Sequence, residues 1–249
     1  MAKGPSYRVA FRRRREGKTD YQQRRNLVLS GLPRMIIRGS LRSISVQMIK
    51  ADVGGDKVIV SAHSNELAKK YGWQGGGGNL PAAYLTGLLC GYKAAASGVK
   101  EAVLDLGLHA PTKGSRVFAT LKGALDAGIM IPHDEDKLPD EKRVQGLHVA
   151  EYAKQLSSTP DSYQKRFAEQ LSRGLRPEEI TEHFSQVKQK ISSTLQKEEA
   201  PEEREEREKP SKEEVEKKKR PRRKIVTAEK PVKPRVRRHK EPEKLEEKK

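Results

Sequence analysis

No internal disulfide and no multi-cysteine metal site can form in this chain, because Cys90 is the one cysteine among its 249 residues. No apolar run approaches the roughly 18 residues that a membrane-spanning helix requires. The N-terminus has no apolar segment before a cleavage site, so no signal peptide is expected. A soluble intracellular protein is the expectation. The histidines show neither an H-E-x-x-H pattern nor a Cys–His spacing, and no helix–turn–helix or zinc-finger pattern occurs. The tripeptide "GKT" at 17–19 is not a phosphate loop: the motif's first glycine falls on Arg12, and arginines stand where an apolar strand should precede it. Asp105, near the end of an apolar run, has the place of a metal ligand in a ribonuclease-H-type nuclease. Its candidate companions Asp52 and Asp56 both fall at a turn, so that reading ranks second. No catalytic residues, metal or cofactor are expected.

What is present is positive charge, unevenly spread. The chain carries a formal +18. Residues 1–25 hold nine Lys/Arg against Glu16 and Asp20, net +7, and residues 197–249 hold 21 basic and 15 acidic residues, net +6. The middle, 26–196, keeps the remaining +5 and resembles an ordinary folded domain. Arginine rather than lysine dominates the first segment. Its planar guanidinium forks onto phosphate oxygens and stacks on unpaired bases, so Arg8, Arg12, Arg13, Arg14, Arg15, Lys18, Arg24 and Arg25, with Tyr21, point to a polyanionic partner. A second basic set lies on the domain: Arg34, Arg38 and Arg42, then "APTKGSR" at 110–116. There Lys113, Gly114, Ser115 and Arg116 open a helix whose free amides suit a phosphate.

The pattern divides the chain into an arm (1–26), an α/β domain (27–157), a helical extension (158–196) and a charged tail (197–249). The arm is expected to be extended, with a short helical turn near 19–25. Runs at 33–40, 44–51 and 57–63, separated by a "GGD" turn at 54–56, predict an antiparallel meander. Ser64 caps a short helix to Tyr71. Glycines 75–78 break the chain, as a flexible loop or as backbone closely approaching something large. A buried helix follows at 80–98. "EAVLDLGL" (101–108), apolar on both faces, predicts a central strand. A helix over 115–127 ends at Gly128. Strands followed by helix–strand–helix imply a layered α/β domain, helices on a small sheet. One helix is expected over about 140–156, with Val149, Tyr152, Ala153 and Leu156 inward. Two amphipathic segments follow. One carries Tyr163, Phe167 and Leu171, and the other carries Ile180, Phe184, Val187, Ile191 and Leu195. They are to dock on this domain or on a partner. From Lys197 onward 36 of 53 residues are charged, and six prolines intervene, so a disordered tail with non-specific RNA or protein contact is expected.

The segments "GPSYRVAFRRRREGKTDYQQR", "VSAHSNELAKKYGWQGGGGNLPAAYLTGLL", "AVLDLGLHAPTKGSRVFATLKGALDAG" and "IPHDEDKLPDEKRVQGLHVAEYAKQL" closely resemble the large-subunit ribosomal proteins that bind 5S ribosomal RNA. The likeness is to the archaeal L-eighteen family and spans about residues 4–156. It implies a three-layer α/β domain of the translational-machinery type, with a small mixed sheet flanked by helices. It also implies a non-enzymatic role in the central protuberance, attaching 5S rRNA to 23S rRNA beside a neighbouring 5S-binding ribosomal protein. No membrane and no homo-oligomer enter that picture, and the ribosome places the protein in the cytoplasm. By resemblance, the arm residues above and Lys113, Gly114, Ser115 and Arg116 contact RNA. His63, Tyr71, Trp73 and glycines 75–78 serve either RNA contact or packing.

Overall fold

The computed structural model describes Gly4 and residues 6–198. Of the charged tail expected over 197–249, all but residues 197 and 198 lie outside the described residues, and so does what was expected of them.

Alternating β-branched and apolar residues make three antiparallel strands: β1 (Arg34–Gly39), β2 (Ile44–Lys50) and β3 (Lys57–His63). The expected meander is present. A fourth strand, β4 (Val103–Asp105), pairs parallel with β1 and completes a mixed sheet of order β3-β2-β1-β4. The central-strand expectation for 101–108 is therefore corrected: β4 is short and lies at the sheet edge. The strand stops because the Asp105 carboxylate turns back to accept the Gly107 amide at 2.9 Å, with Gly107 at φ +61°. Its apolar character has another source. Ala102 and Leu104 join the core, and a bridge between Glu101 and Met130 lies beyond the strand.

Strand alternation gives the sheet two unlike faces. Cross-strand rows Met35–Met48–Val60 and Ile37–Val46–Ala62 are buried. They join one core with α4 (Leu80–Ala96) and α5 (Arg116–Asp126). Asn79 caps α4 by accepting the Ala82 amide at 2.9 Å. Helices α4 and α5 cross so closely that a Cβ on Gly87 would strike the Thr120 carbonyl and one on Gly123 the Tyr84 carbonyl. The opposite rows, Ile36–Gln47–Ser61 and Arg38–Ser45–His63, hold no fully buried residue.

Ahead of the sheet stand α1 (Arg12–Arg15) and α2 (Tyr21–Leu29), neither of which buries a residue. The helical turn expected near 19–25 thus runs on to Leu29. Asp20 caps it, accepting the Gln22 and Gln23 amides. Between β3 and α4 lies α3 (Ser64–Tyr71).

The single helix expected over 140–156 is broken into α6 (Glu141–Val144) and α7 (Leu147–Leu156). Gly146 sits between them at φ +87°, its backbone pressed on Pro81 and Ile180. The break turns the buried stripe to Ala150 and Ala153, leaving Tyr152 43% exposed against Phe167. Phe167 belongs to α8 (Pro160–Ser172). The last helix, α9 (Ile180–Glu198), buries all five of its expected apolar residues. It docks on this same chain: Phe184 packs on Tyr84 with ring centroids 5.6 Å apart, and Lys188 Nζ lies 5.2 Å over the Tyr84 ring. No described helix is long and apolar enough to cross a membrane.

Candidate nucleic-acid interface

The arm and the less-buried sheet face enclose a cleft of about 420 Å³, lined by Arg13, Lys18, Thr19, Asp20, Gln23 and Arg24 on one side. Arg34, Ile36, Arg38, Asp56, Asp105 and Gly107 line the other. Arg34 and Arg38 lie four residues apart on β1 and so share a face, yet their fates differ. Arg34 is 2% exposed. Its Nη1 donates to Asp105 Oδ2 at 3.2 Å and its Nη2 to Asp56 Oδ2 at 2.8 Å. Such a buried cation is tolerable only when paired. Arg38 keeps 48% of its side-chain exposure, donating to the Ile37 carbonyl and standing 3.9 Å from Asp105 Oδ1. The sheet thus offers one half-exposed guanidinium at the cleft and commits the other to the interior.

On the arm, Arg8, Arg12, Arg13, Arg14, Arg15, Lys18 and Arg25 are exposed. Glu16 pairs with Arg12 at 3.5 Å and with Lys18 at 2.9 Å, and Arg13 Nε donates to Thr19 at 2.9 Å. Exposed pairs of this kind contribute at most about 1 kcal/mol and are readily exchanged for phosphate. Phe11 and Tyr21 stack obliquely, centroids 5.2 Å apart, and Phe11 stays 71% exposed. An unpaired base has an aromatic surface there to meet.

The second basic set gathers around Arg116. Its Nη1 donates to the carbonyls of Ser40 (2.8 Å) and Gly78 (2.9 Å), tying the β1–β2 hairpin and the glycine loop to the start of α5. Arg42 and Lys113 are exposed nearby in sequence to these ties. Gly114 adopts φ +66°, and the Ser115 hydroxyl at the N-cap position is buried without a partner among the described residues. Glycines 75–78 do lie against something large, and it belongs to this chain. A Cβ on Gly75 would overlap the Trp73 ring, and one on Gly78 the Leu41 carbonyl. Trp73 is 2% exposed, donates from Nε1 to the Gly76 carbonyl at 3.3 Å, and stacks on His183 with centroids 5.1 Å apart. The His183 Nε2 accepts the Gln74 amide at 3.0 Å, and burial, reinforced by Lys190, holds its pKa below the usual histidine value. His63 caps α3, its Nδ1 accepting the Asn65 amide at 3.0 Å. Tyr71 is buried.

Four residues organise this region: Arg173 and His183, which sequence reasoning passed over, and Asp56 and Asp105, which it weighed only as metal ligands and not as partners of Arg34. Arg173 Nη1 donates to the Gly75 carbonyl at 2.9 Å and so supports the glycine loop from the C-terminal helices. One signal was available. An arginine followed by Met35, Ile36 and Ile37 cannot enter a core unpaired, and Asp56 and Asp105 were the carboxylates at neighbouring strand ends.

No group of three or more His, Cys, Asp and Glu able to hold a metal occurs among the described residues. Asp105 spends its oxygens on Arg34, Arg38 and the Gly107 amide. Burial pushes the Cys90 thiol up to about 12, which keeps it protonated.

Fold and cleft together define a small mixed α/β protein with a cationic arm laid over one face of its sheet. The family model described as "Ribosomal large subunit proteins 60S L5, and 50S L18" matches residues 5–100 and 93–134. Over 201 residues the chain is 53% identical to "Large ribosomal subunit protein uL18" of Caldivirga maquilingensis, covering 80% of this chain and 97% of that one. Over 192 residues it is 55% identical to the protein of the same name from Aeropyrum pernix, covering 77% of this chain and 90% of that one. This chain belongs to the L5/L18 family of large-subunit ribosomal proteins: it is a structural ribosomal protein and not an enzyme.

Proposed function

We propose that this protein binds 5S rRNA and attaches it to 23S rRNA in the central protuberance, on cytoplasmic ribosomes and beside another 5S-binding ribosomal protein. Its domain is then a three-layer one of the translational-machinery type (27–157), with an RNA-binding arm (1–26), a helical extension (158–196) and an accessory charged tail (197–249). The observation that supports this best is the cleft. Arm cations Arg13, Lys18 and Arg24 face Arg38 across about 420 Å³, a space on the scale of one or two nucleotides. Arg8, Arg12, Arg14, Arg15 and Arg25 extend the track outward, and Tyr21 offers a stacking surface. Arg42, Lys113, Gly114, Ser115 and Arg116 form a second contact at the far end of β1. Arg34, His63 and Trp73 support RNA binding from within, by holding the surface in shape.

The test is binding of purified 5S rRNA and of an unrelated structured RNA across a salt series, for the full chain and for chains lacking 1–26 or 197–249. The expected result is a preference for 5S rRNA in the full chain and the tail deletion, lost without the arm. Equal binding of both RNAs by all three, with salt slopes following total charge, would overturn the specific role.

A further inference from the structure

Two carboxylates, Asp56 and Asp105, lie inside a cleft whose other charged residues are mostly cations. For a surface that meets phosphate, their charge is a direct electrostatic cost. Asp105 has an interior task, pairing Arg34 at 3.2 Å and closing β4. Asp56 does something different. Its single oxygen Oδ2 receives Arg34 Nη2 at 2.8 Å and Arg24 Nη2 at 3.0 Å. Arg34 is immobilised in the sheet, so it fixes the carboxylate. Arg24 belongs to α2, which buries no residue fully and keeps Tyr21 and Leu27 only partly covered. The Arg24 side chain is 39% exposed, so its tie to Asp56 is reversible and salt-sensitive.

We propose that Asp56 is a positioning residue for RNA binding. It latches α2 to the sheet through Arg24, so the arm's cations already stand over the cleft before RNA arrives. This rests on the RNA-binding reading above and deepens it. A free basic arm loses conformational freedom on binding, and a latched one has lost much of it beforehand. The latch therefore reverses the sign expected from simple electrostatics: deleting a negative charge from a polyanion-binding face weakens binding.

The experiment uses the full chain, 5S rRNA, and three variants. Asp56→Asn should bind 5S rRNA about tenfold more weakly, since the ordering cost returns. Its plot of log affinity against log salt should be shallower by about 2, because arm cations no longer reach their phosphates together. A purely structural defect lowers the active fraction and leaves that slope alone. Asp56→Glu should recover part of both. Asp52→Asn removes the same charge from the same turn, where Asp52 pairs with exposed Lys57 and accepts the Val53 amide, and should bind as tightly as the parent or more so. Hydrogen exchange on the RNA-free parent needs no variant: α2 amides from Arg24 to Leu29 should be protected at low salt and lose that protection as salt rises. Asp56→Asn binding as tightly as the parent, or α2 exchanging like free peptide at low salt, overturns the latch. If instead the parent shows no preference for 5S rRNA, the functional reading fails, and the exchange result still judges the latch on its own.

Discussion

Helices α2 and α9, near the two ends of the described chain, are both attached to a common core, and they are attached by opposite means. Helix α9 places Ile180, Phe184, Val187, Ile191 and Leu195 at 8% exposure or less. Helix α2 has no fully buried residue, and Arg24 ties it to Asp56 at 3.0 Å. An attachment made of apolar burial is indifferent to salt and hard to exchange. An attachment made of charge is weak in water and has the same chemistry as the contact it makes with phosphate. The protein thus keeps its permanent joint at one end and its exchangeable joint at the other.

The strongest way to break this contrast is to remove the burial from α9. Phe184→Ala should lower stability by about 3–5 kcal/mol in denaturant unfolding, because it empties the space against Tyr84. A loss below about 1 kcal/mol would show that α9 is as loosely held as α2. Next is the arm. Replacing Arg12, Arg13, Arg14 and Arg15 together by Ala should weaken 5S rRNA binding by about a hundredfold at moderate salt. The melting temperature should hardly move, since all four are exposed. A melting temperature that falls together with affinity would make the arm part of the fold.

A smaller effect sharpens the α9 joint through pH. Burial, with Lys190, depresses the pKa of His183 below its unfolded value of 6.5. The unfolded chain therefore binds the proton more readily. The contribution to stability is complete above about pH 6.5 and is lost as pH falls from there through the depressed folded value. Protonation also removes the acceptor for the Gln74 amide. Fluorescence of Trp73, the one tryptophan, should change over that acid window, and His183→Asn should flatten the change. The smallest effect belongs to Leu29→Ala. At 74% exposure on α2 it should alter stability by less than about 0.5 kcal/mol, despite being a leucine on a helix.

Period alone carried the α9 stripe and the three-strand meander, because each buries a regular set of residues against one surface. It could not carry the difference between Arg34 and Arg38. The two share residue type, strand and face. What separates them is the position of Asp56 and Asp105, 22 and 71 residues away from Arg34. The edge position of β4 was hidden for a related reason: an apolar run looks the same whether neighbouring strands or helices cover it. The break at Gly146 was hidden because a lone glycine is tolerated in a helix, and only the approach of Pro81 and Ile180 makes it a boundary. At the cleft the cations were legible as a composition. The carboxylates that arrange them were not, since isolated aspartates at turns look like ordinary surface.

The long separation between Arg34 and Asp105 has a consequence for the order in which the protein is made. Synthesis runs from the N-terminus, so the arm and β1 leave the ribosome well before β4 does. Until then Arg34 can have Asp56 but lacks its second carboxylate, Asp105. Pairing of β4 with β1 takes one guanidinium off the surface and sets the strand that floors the cleft. The strand synthesised last is therefore also the one that completes the pairing of Arg34 and fixes the floor of the cleft.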